Sequence, residues 1–158
     1  MSVATDAMGG SIGLHDRQAI EDLLSRFAWH ADRGEGAALG ALFLEDGVLE
    51  VGGSRLQGPA QIGADCQRRF TDPHRKTRHL WTNLRIERAD PHHIVTGALQ
   101  LTFEQSTPGL PAQLRVNDLF DEFQRDAAGH WRFAQRRIVR ALGMTLAVAP
   151  LGPARASS

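Results

Sequence analysis

The sequence predicts an α+β fold in which N-terminal helices cover one face of a curved antiparallel sheet, and three observations carry that prediction. Apolar residues recur at three- and four-residue spacing only in the first part of the chain. From Thr77 onward they alternate with a period of two. Short breaks built on Asp, Pro and Gly then divide the second half into long successive strands. Helices followed by a twisted meander bury their apolar faces against one another, and the space between the layers is the natural pocket.

The elements follow in order. Residues 1–13, with Gly9, Gly10 and Gly13, read as a flexible leader. Ile20, Leu23, Leu24, Phe27, Ala28 and Ala31 define an amphipathic helix over Arg17 to Arg33, with Asp16 as N-cap and Gly34 as stop. Leu39, Leu42 and Phe43 suggest a short second helix. Glu45-Asp46-Gly47 then reads as a turn into Val48–Val51, and Gly52-Gly53 as a hairpin end. Gly58-Pro59 opens a third helix carrying Ile62, Cys66 and Phe70, which Asp72-Pro73 breaks. Strands are expected over Thr77 to Arg88, Ile94 to Glu104, Gln113 to Arg125 and Trp131 to about Leu142, within one domain spanning 14–142. A tail, 143–158, remains, suited to packing on a neighbouring subunit or closing the pocket, with disorder of its last residues equally expected; Trp131 and Phe133 read as core.

Composition excludes several function classes. Lys plus Arg and Asp plus Glu number 18 each, and the basic residues are scattered, so there is no electrostatic footprint for nucleic acid or an anionic membrane. The single cysteine, Cys66, rules out an intramolecular disulfide and reads as a small core residue compatible with a reducing cytoplasm. No segment has the length of a membrane span and the N-terminus lacks a signal-peptide pattern, so a cytoplasmic location is expected. Dinucleotide, Walker and nucleophile-elbow motifs are missing, and there is no tyrosine to serve as an acid. His74 and His92-His93 have no spaced partners, so no metal and no cofactor are expected.

Chemistry concentrates in Lys76–Leu84. Leu80, Leu84 and Ile86 share one parity of this strand, and His79, Trp81, Asn83 and Arg85 share the other, which sets an imidazole on a half-polar face. Asp32 continues the buried stripe of the first helix into its last turn, where a carboxylate gains nothing from the helix dipole and needs either a partner or water.

These features together resemble the nuclear transport factor 2-like superfamily, and within it the SnoaL-like branch that includes scytalone dehydratase, bile-acid 7α-dehydratase, hexachlorocyclohexane dehydrochlorinase and polyketide cyclases. The resemblance runs from Leu14 to Leu142. It is carried by the Phe27 to Gly36 helix end with Asp32, by Leu42-Phe43 to Asp46-Gly47-Val48, by Gly58-Pro59, by Arg78-His79 with Asn83-Leu84, and by Gly129 to Phe133. It implies a cone-shaped pocket, and a catalytic pair in which Asp32 holds His79 in one tautomer while the other ring nitrogen acts as base. It also departs from the dehydratase pattern. Glu104 stands where a second histidine is expected, Asn117 falls near a serine position, and Ala31 stands beside Asp32 where the family has a tyrosine nearby. Asn117, Trp81, His30, Glu104 and Arg115 are the candidate substrate-binding residues.

The implied activity is that of a cofactor-independent lyase acting on a small hydrophobic, cyclic substrate. Isomerisation or polyketide-type cyclisation with the same base is the alternative, and a non-catalytic ligand-binding or assembly module the rival. An epoxide hydrolase of the limonene type would need Arg115 and Asp121 in the pocket. The resemblance further implies a homo-oligomer, a trimer in preference to a dimer.

Overall fold

Ile20, Leu23, Leu24 and Phe27 fall on one side of α1 (Leu14–Ala31) and are all buried. In the computed structural model, which describes residues 12–147, this helix starts earlier than Arg17, with Gly13 at the cap position and no side-chain cap. Asp16 is not the cap. It sits in the first turn and accepts hydrogen bonds from Trp131 Nε1 (2.9 Å) and Arg125 (2.8 Å), tying the helix start to the last strand. The Trp131 bond, with Arg125 beside it, holds the Asp16 carboxyl below its usual range against the opposing effect of burial. Beyond the helix Gly34 reverses the chain at φ +67°, and a Cβ there would lie 2.5 Å from the Phe70 ring.

Two short helices close the other side. α2 (Gly36–Gly40) crosses α3 (Gly58–Arg68) backbone to backbone. A Cβ on Gly63 would stand 2.7 Å from the Gly36 carbonyl oxygen, and one on Gly36 2.2 Å from that of Gly63. Two effects therefore compete in Gly63→Ala. Helix propensity favours alanine by about 1 kcal/mol, whereas overpacking against rigid backbone costs roughly 1–3 kcal/mol. The backbone cannot yield as a side chain can, so Gly63→Ala is expected to lower stability. A urea titration in which its midpoint rises would contradict this packing.

The predicted second helix ends before Leu42, and Phe43 instead opens β1 (Phe43–Val51), stacked on Phe133 at a centroid distance of 5.0 Å. Glu45-Asp46-Gly47 is an irregularity inside that strand rather than a turn: the register with its neighbour shifts between Phe43 and Val48. Gly52 and Gly53, both at positive φ, turn β1 into β2 (Ser54–Gln57) as predicted.

The four long strands are β3 (Lys76–Ala89), β4 (His93–Gln105), β5 (Ala112–Arg125) and β6 (Trp131–Leu146). They belong to a six-stranded curved, unclosed sheet of order β2-β1-β6-β5-β4-β3. Every pairing is antiparallel except β1 with β6, which is parallel and makes the sheet mixed. β6 runs past Leu142, so that Gly143–Leu146 pairs with Ala112–Arg115. Of the leader assigned to 1–13 and the tail assigned to 143–158, residues 1–11 and 148–158 lie outside the described residues. No helix among the described residues is long and apolar enough to cross a membrane.

The concave face changes character along each strand. On β4 the inward positions are Ile94, Thr96, Ala98, Gln100 and Thr102, and on β5 they run the other way as Phe123, Asp121, Leu119, Asn117 and Arg115. The Ile94/Phe123 end joins Phe27, Phe43, Trp131 and Phe133 in the core, and the Thr102/Arg115 end opens into a cavity. Between them, directly opposite each other on β5 and β6, lie Asp121 and Arg136, 3.5 Å apart and almost wholly buried.

One face assignment is corrected. Leu80 does not share a face with Leu84: it is 52% exposed on the convex side, while Leu84 packs on the core. Asn83 adopts φ +55° within a register shift between Thr82 and Arg85, so the alternation changes phase there. His79 and Trp81 face inward before the shift and Leu84 after it.

Candidate functional site

The end of α1 and the start of β3 bring one carboxylate and one imidazole together. Asp32 is the C-cap residue of α1, its own N–H donating to the Ala28 carbonyl (3.0 Å), and its side chain leaves the last turn toward β3. Because β3 is an edge strand, some of its N–H groups are free of sheet pairing. Asp32 Oδ2 accepts the backbone N–H of His79 at 3.0 Å, and Oδ1 lies 2.6 Å from His79 Nδ1. One carboxylate thus fixes both the main chain and the ring of the same residue. With an ionised Asp32 as acceptor, Nδ1 carries the hydrogen and Nε2 presents its lone pair. The Asp32 side chain is only 6% exposed and stands behind the ring, while His79 lines the cavity.

The cavity, about 720 Å³, is bounded by the end of α1, the β1–β2 hairpin, α3 and the open end of the sheet. That volume suits a small organic ligand. Its apolar wall includes Phe27, Ala31, Leu39, Leu49, Ile62 and Ile138. Ala31, beside Asp32, puts only a methyl group on that wall. Opposite, the sheet contributes neutral polar groups. Thr102 stands across from His79 on the neighbouring strand, and Gln100 and Asn117 pair one pleat deeper. All three are buried, and all three line the cavity. Asn117 is therefore on the wall as its candidacy requires.

The other candidates are distributed differently. Arg115 lines the cavity; Glu104 does not, and instead accepts Arg75 Nη2 and Arg115 Nη1 at one of its two oxygens, Oε2, each at 3.0 Å. Burial pushes the Glu104 carboxyl up, but the two guanidinium groups outweigh it and leave it below its usual range. Trp81 and His30 lie outside the cavity lining, and their donors are engaged elsewhere. Trp81 Nε1 donates to Ser25 Oγ (3.1 Å) where β3 packs on α1, one pleat beyond His79. His30 Nδ1 lies 2.6 Å from Glu35 Oε2, because two residues before Asp32 is about 200° around the helix. Asp121 is sealed in the interior against Arg136, so the arrangement an epoxide hydrolase would need with Arg115 is not assembled. Cys66 reaches the cavity wall, where burial pushes its thiol up and keeps it protonated.

Gln100, Thr102 and Arg75 line the cavity without having been candidates. For the first two the signal was in the sequence: they share Glu104's parity on β4, and a strand whose inward positions pass from Ile94 to Gln100 and Thr102 marks where core gives way to site. Arg75 precedes β3 in an irregular segment and carries no such periodicity.

A curved sheet, a helix-end carboxylate and a strand imidazole facing a cavity with one apolar wall together define the class, and comparison with known proteins agrees. The SnoaL-like domain model matches residues 13–137, and the chain belongs to that family. Among solved structures it is similar to a proposed scytalone dehydratase from Novosphingobium aromaticivorans, with a TM-score of 0.74 and 22% identity over 89% of this chain and 96% of that one. Hexachlorocyclohexane dehydrochlorinase LinA-type3 from Novosphingobium barchaimii gives a TM-score of 0.74 and 23% identity, over 89% and 97%. ActVI-ORFA from Streptomyces coelicolor gives 0.69 and 16%, over 82% and 98%. A search of curated protein sequences finds no match.

Proposed function

We propose that this protein is a cofactor-independent lyase of the dehydratase type, acting on a small hydrophobic cyclic substrate by proton abstraction. The observation that carries the reading is the doubly bonded Asp32–His79 unit at the wall of a cavity whose helical side is apolar. His79 Nε2 takes the proton from a carbon next to a carbonyl, and the electron pair of that C–H bond becomes the new C=C bond as the β-hydroxyl departs. The imidazolium returns its proton to the departing oxygen, so that one water leaves and the base is regenerated. Asp32 stabilises the imidazolium. Asn117 and Gln100 supply amide N–H groups for the charge that develops on the carbonyl oxygen, each contributing on the order of 3 kcal/mol when well placed. Dehydrohalogenation, isomerisation and cyclisation could use the same base with another substrate.

The test is a panel of cyclic β-hydroxyketones followed by the absorbance of the conjugated enone. Enone formation by the wild type that is absent in His79→Ala supports the proposal. A panel that binds without turnover would make the protein a ligand-binding module.

We also propose that the chain assembles as a homo-oligomer, a trimer, through the convex face of the sheet. Leu80, Leu101, Val116 and Leu142 stand in one cross-strand row there, and Leu80 and Leu142 are 52% and 50% exposed. An apolar row across four strands is the kind of surface a second copy covers. The double substitution Leu80→Glu, Leu142→Glu is expected to give a folded monomer in sedimentation velocity, with its circular dichroism unchanged. A variant that keeps the wild-type mass would exclude this face.

A further inference from the structure

The chain carries equal numbers of basic and acidic residues, yet its cavity is basic. Arg55, Arg69, Arg75, Arg115, Arg137 and Arg140 line it, against only Glu50 and Asp65. Arg55 is paired with Glu50 and Arg69 with Asp65. Asp65 also serves Arg68, which is off the cavity wall, one arginine on each oxygen. The Glu104 cluster differs in that both of its arginines line the cavity and share one oxygen of a carboxylate that is itself off the wall. One positive charge in that cluster is left unneutralised.

The three members are not equivalent. Arg75 is the more enclosed guanidinium, its side chain 14% exposed, and its Nη1 is buried without a hydrogen-bond partner. Arg115 is 27% exposed, lines the cavity, and among the described residues bonds only Glu104, leaving Nε and Nη2 uncommitted. Arg75 and Glu104 therefore hold a second guanidinium in place and leave its free edge toward the cavity. A planar fork with one net charge matches a planar monoanion.

Register sets the distance to the proposed base. Thr102 stands opposite both His79 and Arg115, which puts their Cα atoms two strand spacings apart, about 10 Å. Both side chains reach inward over Thr102. Asp32, the carboxylate that bonds the His79 ring, lies behind that ring rather than on the wall.

We propose that the substrate of this cavity is an organic acid, its carboxylate anchored by Arg115 several bonds away from the carbon that loses its proton. This rests on the lyase reading for the word substrate; the anion site itself stands on the arginine cluster.

The test is calorimetric binding of 1-naphthoate and its methyl ester, a matched pair differing in charge, to the full-length protein. The wild type is expected to bind the acid at least about tenfold more tightly than the ester, with only the acid weakening as salt is raised. Arg115→Gln is expected to abolish the preference and leave ester binding unchanged, which also reports that the variant is folded. If Arg115→Gln binds neither, Arg115→Lys, which keeps the charge, is expected to retain part of the preference. Equal wild-type affinities, a preference that survives Arg115→Gln, or tighter binding of 1-naphthyl phosphate than of 1-naphthoate overturns the proposal. His79→Ala is expected to keep the preference. In the wild type, enone formation without any preference for the acid refutes the carboxylate site alone, and a preference for the acid without any turnover refutes the lyase alone.

Discussion

His79→Ala is expected to lower kcat by about a hundred- to ten-thousandfold, the range that a positioned general base supplies. The cavity offers no substitute. Its carboxylates are paired with arginines, its thiol is held protonated by burial, and the sequence has no tyrosine. Binding should change little, because the ring is only one element of a wall of about two dozen residues. Asp32→Asn is expected to approach the same loss for a different reason. The carboxylate accepts two N–H groups, one on each oxygen, whereas an asparagine side chain has a single acceptor oxygen. Either one of the two bonds breaks, or the asparagine N–H donates to Nδ1 and moves the ring hydrogen to Nε2; in each case the lone pair that acts as base is lost or misdirected. The comparison to make is single-turnover enone formation in the wild type and both variants. A variant at His79 that retains wild-type kcat removes the imidazole from the mechanism.

Arg136→Met carries the largest expected loss of stability, about 3–5 kcal/mol, because it leaves a buried carboxylate without its counter-charge. Arg136 also lies over the Phe27 ring (4.1 Å) and near that of Phe133 (4.9 Å), so its removal takes away a desolvated cation–π contact as well. Neither partner is otherwise satisfied by hydrogen bonds: both Asp121 oxygens and Arg136 Nε and Nη1 have none. Such a pair binds its members to each other more than it stabilises the fold. Replacing both, as in Asp121→Leu with Arg136→Met, is therefore expected to recover most or all of the loss.

The pH dependence gives a second signature. Burial pushes the Asp121 carboxyl up to about 6 despite the attraction of Arg136. In the native state it therefore takes up a proton that the unfolded chain, near 3.8, does not. Stability from this group is present at low pH and lost as pH rises through about 6. Without Arg136 the carboxyl is pushed up further, so the loss in Arg136→Met should be smaller at pH 5 than at pH 8. Urea titrations at the two pH values check both statements; a single variant as stable as the double would refute the pairing.

The residues that were legible in the sequence are those whose role is set by periodicity. Ile20 to Phe27, the long strands and the Gly52-Gly53 hairpin announce themselves through spacing alone. Asp32 and His79 stood out as polar residues at buried phases of a helix and a strand, although 47 positions apart, and only family resemblance joined them. What escaped is set by tertiary pairing. Phe43 is helical by local pattern but is drawn into β1 by stacking on Phe133. Asp16 has the chemistry of a cap but is claimed by Trp131 and Arg125. Leu80 changes face because Asn83 takes a left-handed conformation, which no alternation can foretell. Trp81 and His30 were the right residue types at neighbouring positions, and one pleat or part of a helical turn directed each away from the cavity.

The most direct test of the central claim is the state of one ring, observed without any substrate. Nitrogen-15 NMR of the imidazole signals, with His79 assigned among the seven histidines by His79→Gln, reports which nitrogen carries the hydrogen in the neutral ring. The Nδ1–H form is expected, with that hydrogen protected from exchange by Asp32, and both features are expected to be lost in Asp32→Asn. An Nε2–H form, or ring signals indifferent to Asp32→Asn, would contradict that claim.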